Sequence, residues 1–293
     1  MLKGRLIKGI GGFYYVDVGE DIYECRARGI FRKMGITPMV GDYVEMSVLD
    51  KNNKIGILEN ISERKTELVR PSVANVDQAV IVFAITQPQP NFILLDKFLI
   101  LAEKQRLDLV ICINKMDLLK DIKERDFIVE SYQNSGYKIL FTSYDDPTSI
   151  DKLREMLLGK VSVFAGPSGV GKSTLLNLIH PGLELKTGKV SSKTSRGKHT
   201  TRHVELIPIG KNSWVVDTPG FSSLNIDFIE ENELSDLFPE FDSFLNKCMF
   251  SSCQHINEQE CGVKDALKSG CISKQRYNSY LQFIEEIKRG RRF

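Results

Sequence analysis

The sequence contains no hydrophobic run long enough to cross a membrane. Its longest purely apolar run is Ala79–Ile85, whereas a spanning helix needs about 20 apolar residues. No charged start followed by a continuous apolar stretch opens the chain, so we expect no secretory signal. Together these absences predict a cytoplasmic protein without a membrane partner.

An excess of charge is also lacking. The chain has 40 Lys and Arg against 38 Asp and Glu, a formal net charge of +2, so it is neither strongly basic nor strongly acidic as a whole. The distribution is less even, because residues 185–203 hold six Lys or Arg and no acid, and the chain ends in "KRGRRF". Two basic stretches favour a nucleic-acid partner; the alternative is a solvated loop and tail.

The first part of the chain has the pattern of a small β-domain. The 293 residues exceed the usual size of one domain, and 42% hydrophobic and 27% charged residues are ordinary for globular proteins. Residues 1–70 contain the runs "FYYVDV", "IYECRA", "YVEMSVL" and "KIGIL", with the Gly-containing turns "GED" and "VGD" before the second and third of them. Short strands at this spacing predict an OB-type barrel. A β-domain without a binding role remains the alternative.

The pattern changes at Asn75 to apolar, β-branched runs that alternate with helical segments. The runs include "QAVIVFAI", "LDLVICIN", "YKILFTS", "VSVFAG" and "SWVVDT". Such alternation predicts a mostly parallel sheet covered by helices. After Phe221 the chain is polar and helical. We therefore expect three domains, at residues 1–70, 71–223 and 224–293.

A phosphate-binding loop follows the predicted strand "VSVFAG". The segment "GPSGVGKS" fits G-x-x-x-x-G-K-[ST] and opens a predicted helix, which is the context that the motif requires. Its backbone N–H groups can surround phosphate oxygens. Lys172 would bridge the β- and γ-phosphates, and the Ser173 hydroxyl would bind Mg²⁺. The candidate phosphate-binding residues are Gly166, Pro167, Ser168, Gly169, Val170, Gly171, Lys172, Ser173 and Thr174.

A second motif, "DTPG", follows the apolar strand "SWVV". The carboxylate of Asp217 can hold Mg²⁺ through a water, and the N–H of Gly220 can reach the γ-phosphate. The alternative is a plain Pro-Gly turn after a strand. Next to a phosphate loop, the pattern favours the nucleotide site.

A third motif, "NKMD", predicts which base is bound. The Asp117 carboxylate can accept two hydrogen bonds, from N1–H and the exocyclic amine of guanine. Adenine lacks that pair of donors, so the site would reject ATP. Alone, the tetrapeptide could be a surface turn. The candidate residues around the base are Asn114, Lys115, Met116, Asp117, Thr142 and Ser143.

Half of the six cysteines lie in one short segment near a histidine. Cys248, Cys253, His255 and Cys261 supply three thiolates and an imidazole, the ligand set of a closed, structural zinc site. From spacing alone, Cys271 could replace His255. Cys25 and Cys112 lie in predicted strands and are expected to be core residues.

The order of the motifs is unusual, since base recognition precedes the phosphate loop. All three motifs stand at strand ends, as a shared site requires. We therefore predict a circularly permuted GTPase domain, in which the usual start of the chain is joined to the usual end.

These features together resemble the RsgA family of ribosome-small-subunit-dependent GTPases. The resemblance rests on "NKMD", "GPSGVGKST", "SRGKHTT", "DTPGF" and the Cys-Cys-His-Cys cluster behind a β-domain, and it covers essentially the whole chain. It implies an OB barrel, a permuted GTPase domain and a C-terminal zinc domain with His255 as the fourth ligand. It also implies a role late in assembly of the small subunit, with that subunit and its rRNA, GTP and GDP as partners, one Zn²⁺, and Mg²⁺ with GTP. We expect a monomer.

The source of catalysis is less evident from the sequence. Ras-like enzymes place a water-orienting glutamine after the glycine of the "DTPG" motif, but this chain has Phe221 there. His199 is the candidate replacement, since the matching histidine is implicated in catalysis in the family; a solvated loop histidine is the alternative. Either Thr200 or Thr201 would bind Mg²⁺.

Two other functions remain open from the sequence. One is a nucleotide-regulated RNA-binding module without significant catalysis, which would not need a complete nucleotide site. The other is a metabolic P-loop kinase, against which "NKMD" and "DTPG" argue.

Overall fold

Five strands near the N-terminus close into a barrel in the order β1-β2-β3-β5-β4. The computed structural model describes residues 1–69, 71–180, 204–217 and 224–290. Within the barrel, all of whose strands lie in the described residues, only β3 and β5 pair in parallel. The strands are β1 (Leu2–Ile10), β2 (Phe13–Asp17), β3 (Ile22–Ala27), β4 (Tyr43–Asp50) and β5 (Ile55–Ile61), with helix α1 (Gly29–Lys33) between β3 and β4.

The barrel interior follows the alternation read from the sequence. In β3, Tyr23 and Cys25 are buried while Ile22 and Arg26 are exposed, as expected where successive side chains point to opposite faces. β1 departs from this rule, because three consecutive residues, 5–7, are buried. A register shift interrupts its pairing with β2 at this point, and its outer side contacts the central sheet.

A six-stranded sheet forms the centre of the molecule, in the order β10-β9-β8-β11-β13-β12. All neighbouring pairs are parallel except β12 and β13. The ribbon of β6 (Glu67–Leu68) and β7 (Val73–Ala74) precedes it in the chain. The sheet strands are β8 (Gln78–Ala84), β9 (Asp108–Asn114), β10 (Lys138–Phe141), β11 (Val161–Ala165), β12 (Leu206–Gly210) and β13 (Ser213–Val216).

Helices cover both faces of this sheet, which explains why its strands are apolar throughout. Ile81 and Phe83 of β8 belong to the core under α2 and α3, and Val80 and Val82 belong to the core under α4 and α5. Side chains cap the starts of three helices; for example, Asn91 accepts a hydrogen bond from the Leu94 N–H at 3.0 Å. The helices are α2 (Phe92–Lys104), α3 (Ile122–Tyr132), α4 (Pro147–Leu157) and α5 (Lys172–Ile179).

The C-terminal part is helical and has an aromatic core that packs against α2. Phe238, Phe241, Tyr280 and Phe283 pack together and belong to one apolar cluster with two side chains of α2. None of the helices within the described ranges is both long and apolar enough to cross a membrane. The elements of this part are the 3-10 turns Ser235–Leu237 and Pro239–Phe241 and helices α6 (Asp242–Leu245), α7 (Gly262–Lys268) and α8 (Lys274–Gly290).

A buried charge network joins α8 to the central domain. The guanidinium of Arg276 is fully buried and donates to Asp96 at 2.8 Å and to Glu240 at 2.6 Å. Tyr132 also donates to Asp96, at 2.8 Å. Moving α8 away from α2 would leave buried charges unpaired, which is strongly unfavourable. The network therefore fixes the C-terminal helices against α2 and α3.

Candidate nucleotide and metal sites

The segment between β11 and α5 has the backbone of a phosphate-binding loop. Gly166, Gly169 and Gly171 have φ values of +136°, +82° and +98°, which side-chain-bearing residues rarely adopt. A Cβ on Gly166 would lie 2.1 Å from the Val82 carbonyl oxygen, and one on Gly171 would lie 2.4 Å from Asn114 Nδ2. Glycine is therefore required at both positions by backbone angle and by space.

Lys172 points back over this loop. Its ammonium donates to the carbonyl oxygens of Gly166 at 2.9 Å and Pro167 at 2.6 Å, and burial lowers its pKa. The neighbouring Ser173 is half-buried, while Ser168 and Thr174 are exposed. The loop thus holds a partly desolvated cation at its centre, where a phosphate group could take over the two carbonyl contacts.

The "NKMD" segment contacts the phosphate loop directly. At the end of β9, the Asn114 amide donates to the Val170 carbonyl at 2.9 Å and accepts from the Thr142 hydroxyl at 3.0 Å. The Lys115 ammonium donates to the Gly169 carbonyl at 2.7 Å and also contacts the Gln87 carbonyl. Segments that are separate in the sequence therefore form one continuous site.

Asp117 lies in a 3-10 turn, Met116–Leu118, beside the end of β10. Its carboxylate is exposed and accepts a hydrogen bond from the Ser143 hydroxyl at 2.7 Å. The Met116 N–H donates to the Thr142 carbonyl at 3.1 Å. These bonds hold an acceptor group in place while leaving it open to a ligand, as recognition of a base with two donors requires.

Asp217 directly follows β13, which pairs in parallel with the phosphate-loop strand β11. Parallel strands end at the same edge of a sheet, so Asp217 and the phosphate loop share that edge. Burial raises the pKa of Asp217, and the nearby Glu205 carboxylate raises it further. Gly220, His199, Thr200 and Thr201, also predicted for this site, lie outside the described residues.

The predicted metal ligands converge in the C-terminal part. The ligand atoms of Cys248, Cys253, His255 and Cys261 all lie within 4.8 Å of one another. Cys248 Sγ is 4.0 Å from Cys261 Sγ and 3.6 Å from His255 Nδ1, and Nδ1 is 3.3 Å from Cys261 Sγ. A tetrahedral zinc ion with ordinary bond lengths would separate its sulfur ligands by about 3.8 Å, and sulfur from nitrogen by about 3.5 Å.

The donor set and its surroundings also fit zinc. Burial raises the pKa of Cys253 to about 12 and lowers the pKa of His255, so both side chains are neutral on their own, and a dication at this place would stabilise the thiolate. Cys271 is exposed and does not belong to the cluster. The predicted core cysteines Cys25 and Cys112 are buried. The four convergent side chains could thus hold one zinc ion.

Some contacts of the site leave no signal in the sequence. The carbonyl groups of Gln87, Gly169 and Val170 contact Lys115 and Asn114 through the main chain. Because any residue type offers a carbonyl group, no pattern of side chains could have indicated them.

The fold and the site together define a P-loop GTPase whose base-recognition segment precedes its phosphate loop, which is a circularly permuted GTPase with an added barrel. Family comparisons agree: the family described as RsgA GTPase matches residues 61–227, and the RsgA N-terminal domain matches residues 3–58. The chain belongs to the RsgA family.

Individual relatives match along the whole chain. A protein of Alkaliphilus metalliredigens (strain QYMF), named small ribosomal subunit biogenesis GTPase RsgA, is 58% identical over 295 residues, covering 100% of both chains. The crystal structure of YloQ, described as a circularly permuted GTPase, is 43% identical with a TM-score of 0.84, covering 98% of this chain and 95% of YloQ. For YjeQ from Thermotoga maritima the identity is 39%, the TM-score 0.87 and the coverage 98% of both. The predicted family, fold class and GTP hydrolase activity are confirmed.

Proposed function

We propose that this protein binds the small ribosomal subunit and hydrolyses GTP to drive or check a late step of its assembly. The observation that carries the proposal is the 58% identity, over the full length of both chains, to a protein named for that process. The similarity includes the barrel and the Cys/His region as well as the GTPase domain. Membership of a GTPase family argues against both the kinase and the non-catalytic RNA-binding module.

We propose that the nucleotide is held as the motifs predict. Asp117 recognises guanine, with Asn114 and Lys115 connecting the base segment to the phosphate loop. Lys172 binds the β- and γ-phosphates. Ser173 and Asp217 hold Mg²⁺, directly and through water. The supporting observations are the direct bonds between the two segments and the shared sheet edge. The remaining proposed GTP-binding residues are Met116, Thr142, Ser143, Gly166, Pro167, Ser168, Gly169, Val170, Gly171, Thr174 and Gly220.

For hydrolysis, we propose that His199 orients the attacking water and that Thr200 or Thr201 completes the Mg²⁺ shell. Phe221 stands where Ras-like enzymes have glutamine, and a phenyl ring cannot hydrogen-bond water. The basic residues around His199 suit contact with rRNA phosphates. Turnover should therefore be slow in the isolated protein and faster on the subunit.

We also propose the domain boundaries, the zinc content, the oligomeric state and the cellular location of the protein. The domains span residues 1–70, 71–223 and 224–293, and the last of them holds one structural zinc ion. The protein acts as a monomer in the cytoplasm, in contact with rRNA. The cluster distances support the zinc, and the two basic stretches support the rRNA contact.

Nucleotide-dependent binding tests this function. Purified protein, small subunits and either a non-hydrolysable GTP analogue or GDP should be sedimented through a density cushion. We expect the protein to sediment with small subunits in the analogue and less so in GDP, because a GTPase must distinguish the two states for its partner. Large subunits serve as the control. The proposal would be contradicted if the protein sedimented equally with small and large subunits, or with neither of them.

A further inference from the structure

The outer side of barrel strand β1 is attached to the last two strands of the central sheet. Lys8 of β1 and Glu205, just before β12, form an antiparallel bridge between main chains. Their side chains add an ion pair, with 2.7 Å between Lys8 Nζ and Glu205 Oε2, and each is about one-third exposed. Main-chain and side-chain bonds thus join the two domains at one point.

A second attachment lies close by on the same strand. Arg5 is 6% exposed, and its guanidinium carbon lies 4.6 Å from the ring centroid of Trp214 in β13 and 4.2 Å from that of Tyr43 in the barrel. Cation–π stacking of a desolvated guanidinium is favourable. We call Arg5, Lys8, Glu205 and Trp214 the β1 seam.

On the sheet side of the β1 seam, Glu205 contacts Asp217 directly. The Asp217 N–H donates to the Glu205 carbonyl at 2.9 Å, and Trp214 precedes Asp217 by three residues in the same strand and turn. Lys8 and Glu205 are also among the charges that act on the Asp217 carboxylate. Glu205 and Trp214, which contact the barrel, therefore also help to position the Asp217 main chain.

We propose that Lys8, through Glu205, is a positioning residue for Asp217, so that the barrel is coupled to the magnesium site. The inference rests on the proposed role of Asp217 in holding Mg²⁺. Without the Lys8 ammonium, the Glu205 side chain loses its partner, so Glu205 is held less firmly. Its carbonyl group, which accepts from the Asp217 N–H, then holds the end of β13 less firmly as well. Asp217 would then spend less time in the position from which it could help to hold Mg²⁺.

The test is the Mg²⁺ concentration that gives half-maximal GTPase activity of the full-length protein. Lys8→Ala should raise it about two- to fivefold, the effect expected from losing an ion pair near the surface. GTP binding measured without Mg²⁺ should not change. The charge swap Lys8→Glu with Glu205→Lys should restore the wild-type requirement, which a merely structural defect in the barrel would not allow.

Lys3→Ala is the matched control, because Lys3 lies in the same strand but pairs with Glu45 of the neighbouring barrel strand, at 3.2 Å. It should leave the Mg²⁺ requirement unchanged. If Lys8→Ala does not fold, as judged by circular dichroism, Glu205→Gln tests the same ion pair and should raise the requirement.

Asp217→Asn separates this inference from the proposed function. If Asp217→Asn raises the Mg²⁺ requirement but Lys8→Ala leaves it unchanged or lowers it, the coupling is overturned and the magnesium site stands. If Asp217→Asn has no effect, the proposed role of Asp217 fails and the coupling fails with it.

Discussion

Asp117→Asn is expected to weaken GTP binding by about 10²- to 10⁴-fold, because one hydrogen bond loses its charged acceptor and the other is replaced by two donors that face each other. The exposed carboxylate at Asp117 is held by the Ser143 hydroxyl at 2.7 Å, so it can accept from both N1–H and the exocyclic amine of guanine. An amide offers one acceptor and one donor, and its donor would face the guanine amine. Xanthine has a 2-oxo group there, so preference should shift toward xanthosine nucleotides.

This shift in preference is measured by letting GTP or XTP compete with a fluorescent nucleotide for the protein. Asp121→Asn is the matched control, because it makes the same change of charge four residues further on. Asp121 caps α3 by accepting from the Lys123 N–H at 3.0 Å, and asparagine caps helices equally well. Affinity for GTP should be unchanged in this control. Unchanged affinity in Asp117→Asn would remove Asp117 from the site.

Cys253→Ala is expected to release the metal and unfold the C-terminal part of the chain. Structural zinc sites contribute about 10–16 kcal/mol of apparent binding free energy to folding. The Cys/His cluster is also tied to α8, because Tyr277 donates to the His255 carbonyl at 2.6 Å and Tyr280 to the Gln254 carbonyl at 2.9 Å. Without the metal, burial would disfavour the thiolate form of the cysteines. The cluster backbone would then no longer be held in place for its hydrogen bonds with Tyr277 and Tyr280.

Elemental analysis gives the metal content, and limited proteolysis shows which part has unfolded. Wild type should carry about one zinc per chain, as expected for a single four-ligand structural site. Cys271→Ala, which removes an exposed thiol outside the cluster, should keep both the metal and the fold. A fully folded wild type free of metal would end the zinc proposal.

The sequence predicted those parts of the molecule in which chemistry restricts the residue type. A phosphate loop needs glycine and lysine at set positions, and a zinc site needs sulfur and nitrogen ligands, so the sequence alone indicated both. Strand β1 was missed, because its three consecutive buried residues hide the alternation that identifies a strand.

Long-range charge pairing could not be predicted in the same way. From the sequence alone, charged residues such as Arg276, Asp96 and Glu240 would be expected at the surface. All three are instead buried in one network. The pair of Lys8 and Glu205 joins residues far apart in the chain. Such contacts depend on how domains pack, and a single sequence carries no periodic signal for that packing.

The proposed role of His199 predicts a further effect on the hydrolysis that the subunit stimulates. In the proposed function, the basic residues around His199 contact rRNA phosphates, so that the imidazole reaches the nucleotide only on the subunit. His199→Ala should therefore keep GTP and subunit binding but lose most of the subunit-stimulated rate. Normal hydrolysis by this variant on the subunit would show that His199 has no catalytic role.

The most direct test of the account is the rate of GTP hydrolysis with and without purified small ribosomal subunits, with ATP as the comparison substrate. We predict slow hydrolysis of GTP alone and stimulation by about 10²- to 10⁴-fold with subunits, within the range of partner effects on other GTPases. The stimulation should fall steeply with added salt, because phosphate contacts release counterions. Equal rates with and without subunits, or cleavage of ATP as fast as GTP, would contradict the account.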